Sequence, residues 1–249
     1  MSKPKGRRLK KSAASRVRPF WIPILLLLAA AAAGAHYGAN WQGFRAKTVS
    51  VEGNRAVSRL EIVQHAAINL HENLWLQSAS AAAARVRSIP YIDHVRIRRG
   101  LPARVAIVVT ERNPYAVVAG GTEPETIIDE QLRVLESRSG RSDLPRLKCR
   151  LTPEPKAGDF LHDQCVRSLL HDFQTLARAH VDARSLERDR LGDLTAAISP
   201  GIALKLGDDT DLEAKSALID PILSQTQAQG KHVRTLDLRA PKTPVVVFQ

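Results

Sequence analysis

The chain has 249 residues, a formal net charge of +12 and only two cysteines. Eight basic residues (Lys3, Lys5, Arg7, Arg8, Lys10, Lys11, Arg16 and Arg18) fall within the first eighteen positions with no acid among them, so the basicity belongs mostly to a tail. That tail has no aromatic residue on which a base could stack, which argues against nucleic acid as the partner, and its like charge with Pro4, Gly6 and scattered Ser predicts an unstructured segment over 1–18.

Residues 19–44 contain no Lys, Arg, Asp or Glu. Their apolar heart, 20–37, would span roughly 27 Å as a helix, close to the hydrocarbon thickness of a bilayer. Leu25, Leu26, Leu27 and Leu28 form its most apolar turn. Trp21 opens the stretch and Tyr37 and Trp41 close it, where aromatic rings favour the headgroup layer. The spacing predicts a transmembrane helix over 19–41. Eight cations before it, against Arg45, Lys47 and Arg55 soon after, put the N-terminus in the cytoplasm and the remainder outside. The rival is a cleaved signal peptide, because Ala33-Gly34-Ala35 resembles a cleavage site; that reading predicts a mature N-terminus near His36. Against it, the apolar run is longer than most signal cores. Ala30, Gly34 and Gly38 make a small-residue stripe of the kind that packs on another membrane helix.

Beyond the anchor, Thr48-Val49-Ser50-Val51 alternates like a half-buried strand and stops at Gly53-Asn54, a turn pair. Ser58-Arg59-Leu60-Glu61 reads as a capping box opening a helix with Leu60, Val63 and Ala67 on one stripe. A loop through Asn69, Asn73, Leu74 and Trp75 leads to Ser78 or Ser80, either a fair N-cap. The alanine-rich helix behind it must end near Ile89, because Pro90 disfavours helix in the residue before it. Val95 and Ile97 alternate with Arg96 and Arg98, giving a strand with one basic face. Gly100-Leu101-Pro102 turns the chain into a strand at Val105, Ile107 and Val109. The order is strand, helix, helix, strand, strand, with Asn113-Pro114 as its exit.

The second stretch is less regular. Ile127-Ile128-Asp129 and Leu132-Arg133-Val134-Leu135 look like a hairpin around Glu130-Gln131. Residues 137–158 hold Ser, Gly and three prolines and read as loop. A helix over about 161–180 aligns Cys165, Leu169 and Phe173 in part. Leu194, Ala196 and Ile198, then Pro200-Gly201, then Ile202, Leu204 and Leu206 form a second hairpin. Asp211 can cap a helix carrying Leu212, Ile219, Ile222 and Leu223. Strands at 233–238 and 245–248 finish the chain, with Pro244 tolerated best beside a sheet edge.

No catalytic motif has specific spacing: there is no G-x-S-x-G, H-E-x-x-H, P-loop or dinucleotide fingerprint. His162, His171 and His180 recur every nine residues and do not share a helical face. Asp208, Asp209 and Asp211 lack the glycine and terminal Glu of a calcium hand. Cys149 and Cys165 could pair in an oxidising compartment or stay free. These patterns leave no residue as a candidate catalytic, cofactor or metal site.

Residues 46–118 resemble the POTRA domain of the bacterial cell-division family FtsQ, also called DivIB. The likeness is carried by Val49-Ser50-Val51-Glu52-Gly53-Asn54, Asn73-Leu74-Trp75-Leu76, Ile89-Pro90-Tyr91-Ile92, Arg98-Arg99-Gly100-Leu101-Pro102 and Val109-Thr110-Glu111-Arg112-Asn113-Pro114-Tyr115-Ala116. Downstream, Ile128-Asp129 through Val134, Leu144-Pro145, Leu204-Lys205-Leu206-Gly207 and Leu236-Asp237-Leu238-Arg239 look like that family's β domain; 137–190 departs most. The resemblance implies an α+β fold: a single N-terminal transmembrane helix, a β-α-α-β-β POTRA domain over 46–116, and a mixed α/β domain over 117–249 ending in an edge strand.

It also implies a non-enzymatic, bitopic scaffold of the divisome with no cofactor, metal or small-molecule substrate, single-pass in the bacterial inner membrane at the septum. Its outer domains would recruit and regulate FtsB, FtsL and the FtsW/FtsI-type septal peptidoglycan synthase. Pro244, Val245, Val246, Val247 and Phe248, with nothing after them to cover the strand, are then expected to accept a partner strand. Arg239 matches a family arginine that pairs with an acidic partner residue. Arg96, Arg98 and Arg99 form a second candidate surface, with a solvated strand face as its alternative. The other readings are a POTRA-bearing envelope assembly factor, whose barrel or repeated POTRA copies the chain lacks, and a secreted hydrolase released by signal cleavage.

Overall fold

A computed structural model of the chain describes residues 18–101, 103–120, 125–138, 143–198 and 201–249. Most of the basic tail, and the turn residues Pro102 and Pro200, lie outside the described residues. Helix α1 (Arg18–Asn40) is a single run, and its Trp21–Ala39 segment is long and apolar enough to cross a membrane, with none of it buried in the protein. A helix apolar all round that covers nothing of its own chain fits a lipid environment. A short 3-10 turn, Gln42–Phe44, follows it, and Trp41 packs edge-on against Phe44 at 4.8 Å.

The first folded unit contains β1 (Thr48–Glu52), α2 (Arg59–Ala66), α3 (Ala79–Arg87), β2 (Ile92–Gly100) and β3 (Arg104–Glu111). The strands form a sheet in the order β1-β3-β2, with β1 parallel and β2 antiparallel to the central β3. Alternation on β3 buries Val105, Ile107 and Val109 against Ile62, Val86 and Ile92. The expected stripe of Leu60, Val63 and Ala67 is corrected here: α2 buries Ile62 and Ala66, four residues apart, while Leu60 is exposed. The helix is only two turns long, capped by the Ser58 hydroxyl accepting from the Glu61 amide (3.2 Å) and closed by Ala67 in the left-handed conformation. Those two ends set which residues face the sheet. Of the two possible caps of α3, Ser78 is the one used.

The turn after β1 depends on Gly53, which has φ +89°; a Cβ there would sit 2.2 Å from the Val109 carbonyl oxygen, so no other residue fits. The Glu111 carboxylate at the end of β3 accepts the amides of Arg55, Ala56 and Val57 at 3.0, 2.7 and 3.0 Å. That carboxylate fixes the entry to α2.

The second unit comprises β4 (Ala116–Ala119), β5 (Thr126–Ile128), β6 (Val134–Ser137), β7 (Arg146–Lys148), α4 (Gln164–Arg178), β8 (Ala183–Arg188), β9 (Leu194–Ile198), β10 (Ile202–Gly207), α5 (Leu212–Ala217), α6 (Ile219–Ala228), β11 (Val233–Asp237) and β12 (Val245–Phe248). Its strands form one sheet in the order β12-β11-β10-β9-β8-β7-β4-β5-β6. Helix α4 lays Val166, Leu169, Leu170 and Leu176 onto the sheet's main core, which runs through Leu147, Leu186, Leu204 and Leu236.

Several sequence expectations change in this unit. Residues 137–158, expected to be loop, supply the short interior strand β7, and no sequence pattern marks β8. The first hairpin pairs β5 with β6 from Val134 onward, because Leu132 occupies the left-handed region at φ 64° and belongs to the turn. The helix expected after Asp211 is two helices, and Asp211 itself sits at φ 56° with no side-chain cap bond. On α4, Cys165 is exposed and Phe173 only half-buried, so the inward stripe is offset from the one expected.

The two units share a clamp. Arg112 donates to Asp93 on β2 (2.5 Å) and to the buried Asp129 (2.6 Å). Beside it the Tyr91 hydroxyl donates to Glu136 on β6 at 2.7 Å. Tyr91 also packs on Val117, Ile127 and Leu135, a small cluster formed by residues alternating with those of the main core.

Candidate functional site

Strand β12 closes one end of the nine-stranded sheet. It runs antiparallel to β11, with Asp237 opposite Val245, Leu236 opposite Val246, Thr235 opposite Val247 and Val233 opposite Phe248. Among the described residues no strand pairs with its other side. Val246 packs against the main core, whereas Val245, Val247 and Phe248 remain 57%, 47% and 41% exposed. The Lys231 ammonium lies 5.2 Å from the centre of the Phe248 ring, an exposed cation–π contact that sequence reading missed. A valine-rich strand with an unpaired outer ladder and no charge of its own is a template for strand addition. Pro244, exposed just before the strand, has no N–H to give to a ladder.

Arg239 lies where β11 leaves the sheet, its neighbour Leu238 donating from its amide to the Lys205 carbonyl at 2.8 Å. Its guanidinium folds back onto Asp237: Nε reaches Oδ1 and Oδ2 at 3.0 and 3.1 Å, and Nη2 reaches Oδ2 at 2.7 Å. These hydrogen bonds hold the Asp237 carboxyl below its ordinary value and raise that of Arg239. The arginine is half-exposed, and the bonds to Asp237 engage only its Nε and Nη2. Its methylenes rest on Gly207 (φ +72°), where an added Cβ would meet Cγ at 3.1 Å. The i, i+2 spacing of Asp237 and Arg239 was a signal in the sequence; their pairing needed the structure.

The arginines of β2 separate into two kinds. Arg96 and Arg98 are exposed, but Arg99 turns inward on the unit, donating to the carbonyls of Trp75 (3.4 Å) and Gln77. Arg99 therefore holds the loop between α2 and α3 and is not part of a free surface. The anchor residues Trp21, Leu25, Leu26, Leu27, Leu28 and Tyr37 are exposed along α1, and Trp41 is exposed just beyond its end.

Cys149 and Cys165 form a disulfide with Cα atoms 6.2 Å apart, tying the chain just after β7 to the first turn of α4. Among the described residues they and Asp163 are the group close enough to hold a metal, yet both sulfurs are bonded to each other. Asp163 is occupied as the N-cap of α4, accepting from Cys165 and Val166 at 2.9 and 3.2 Å. His162, His171 and His180 are exposed and scattered along α4 and its ends. Asp208, from the acidic turn, accepts from the buried Lys215 at 3.0 Å. These contacts occupy Cys149, Cys165, Asp163 and Asp208 in structural roles.

Comparison with known proteins agrees with this geometry. Residues 44–112 match the POTRA domain of FtsQ type. The cell division protein FtsQ of Streptomyces coelicolor is 25% identical over 89% of this chain and 89% of its own length. That of Streptomyces griseus is 26% identical over 84% of this chain and 99% of its own. The cell division protein DivIB of Clostridium acetobutylicum is 29% identical over 42% of each chain. The chain therefore carries a POTRA domain of FtsQ type with a β-rich unit behind it, and along most of its length it is similar to FtsQ cell-division proteins.

Proposed function

We propose that this chain is a non-enzymatic, single-pass scaffold of the division machinery that recruits partners by strand addition along β12. In this reading α1 spans the bacterial inner membrane at the septum with its N-terminus in the cytoplasm, and both folded units lie outside. The cations before α1 outnumber those just after it, which favours that orientation. The Cys149–Cys165 disulfide fits an oxidising compartment.

The observation that carries the reading is the outer edge of β12, apolar, uncharged and unpaired among the described strands. A partner strand of the FtsB or FtsL kind would complete the ladder, and an acidic partner residue would take Arg239 from Asp237. Regulation of an FtsW/FtsI-type synthase would follow through those partners. The POTRA unit carries Arg96 and Arg98 as a secondary contact surface. The test is a pull-down of FtsB/FtsL-like partners by the full chain, by Val247→Lys and by Arg239→Glu. Each substitution is expected to weaken capture; wild-type capture by both would contradict the proposal.

A further inference from the structure

We infer that the loop 69–77 between α2 and α3 seats Leu70, Trp75 and Leu76 in the headgroup layer of the leaflet from which α1 emerges, making a second membrane contact that fixes the tilt of the POTRA unit. The inference rests on reading α1 as a membrane span.

Depth comes first. The Trp21–Ala39 segment has 19 residues, about 28 Å of helix, which matches a hydrocarbon core of about 30 Å. Ala39 therefore stands at the boundary between hydrocarbon and headgroups. The loop is bonded to that point: the Asn73 side-chain amide donates to the carbonyls of Ala39 (3.0 Å) and Gly38 (3.5 Å). The Leu74 amide donates to the Phe44 carbonyl at 2.8 Å, and Arg45 bridges Asn73 in antiparallel fashion. A loop one hydrogen bond from the end of the span lies at the depth of that end.

Chemistry comes second. Leu70, Trp75 and Leu76 are 50%, 43% and 71% exposed, while Leu74 between them is buried in the POTRA core. Leu76 lines the same cleft as Ala39 and Trp41, which places it on the anchor's side of the unit. The loop cannot tuck these side chains away, because it is closed on itself. Asn69 and Gln77 exchange bonds, the Asn69 amide donating to Gln77 Oε1 (2.9 Å) and Gln77 Nε2 donating to the Asn69 carbonyl (2.7 Å). Asn73 Oδ1 accepts the Trp75 amide at 2.9 Å, and Arg99 holds the carbonyls of Trp75 and Gln77 from β2. A rigid loop presenting one Trp and two Leu at interfacial depth fits the layer where aromatic and apolar side chains partition. Exposed Arg45 stands beside it to meet lipid phosphates, and exposed Glu72 limits insertion to the headgroup layer.

The test uses the full chain in nanodiscs of phosphatidylcholine and phosphatidylglycerol, with lipids brominated high on the acyl chain as quenchers. Trp21, Trp41 and Trp75 are the chain's three tryptophans, all exposed, so Phe can replace them without opening a core. One variant keeps Trp75 alone, a second keeps Trp21 alone, and a third has all three replaced plus Leu191→Trp, at an exposed turn of the second unit. Trp75 is expected to be quenched to within about twofold of Trp21, and the reporter at position 191 not at all. Adding Leu70→Ser and Leu76→Ser to the first variant should at least halve, roughly, the quenching of Trp75. A quenched Trp21 with Trp75 no more quenched than the reporter at 191 overturns the inference and leaves the anchor standing. An unquenched Trp21 removes the anchor reading, and this inference with it.

Discussion

The two sheets treat their edges differently. In the POTRA unit the β2 edge carries exposed His94, Arg96 and Arg98, and the β1 edge has its Val49 carbonyl taken by the Arg59 guanidinium at 2.7 Å. At one end of the large sheet, β6 is only four residues long, has a register shift beside it, and gives Glu136 to Tyr91. Charge, side-chain capping and brevity are the usual devices that stop a sheet edge from recruiting another strand. The fourth edge, β12, is as short as β6 and also has a register shift beside it, but it is three valines and a phenylalanine with no charge in the strand. Among the described residues one edge of four carries no charge, and the binding role proposed above rests on that contrast more than on any single residue.

The largest expected effect concerns the frame that holds the edges. Arg112→Ala would strand the buried Asp129 without its partner and should cost about 3 kcal/mol in urea unfolding of the full chain, while leaving partner affinity within about twofold. Next, Val247→Lys gives β12 the charge that β2 already has and should weaken partner binding about tenfold to a hundredfold, measured by titration. The reverse exchange tests the other half of the comparison. Arg96→Val combined with Arg98→Val should convert β2 into an open edge, seen in detergent sedimentation as self-association stronger by about 1 kcal/mol.

The smallest effect lies at Arg239. Asp237→Asn weakens the internal pair, so partner affinity should rise about threefold if Arg239 meets an acid on the partner. The pH sign is set by the lowered Asp237 carboxyl. Its contribution to folding is full above the ordinary carboxylate range and is lost as pH falls through the lowered value. Asp172 runs the other way. Burial raises its carboxyl despite the hydrogen bond from Arg188, so stability falls as pH rises from the ordinary value through the raised one. Acid titrations of unfolding in Asp237→Asn and Asp172→Asn should each flatten the corresponding slope.

The POTRA unit was readable because its elements are local and patterned. Alternation at 48–51, the Ser58 cap and the stop before Pro90 each act within a few residues. The error in α2 came from an eight-residue helix too short for its stripe to be unambiguous. The large sheet hides its middle for a physical reason. β7 is three residues long with only Leu147 buried, and β8 buries only Ala183 and Leu186 among polar neighbours, so neither shows a strand period. Both are strands because their parallel neighbours pair with them. The Val-Val-Val-Phe run of the candidate site stood out in the sequence. Its partners did not: Asp237 under Arg239 and Lys231 over Phe248 depend on how β11 returns to β10 through α5 and α6.

The account turns on β12 being the open edge that a partner fills, and amide hydrogen exchange of the full chain in nanodiscs, with and without an FtsB/FtsL-like complex, tests this directly. Bound partner should slow exchange in Val245–Phe248 by about tenfold or more and leave β2 unchanged. Unchanged exchange in β12, or slowing at β2 instead, would contradict it.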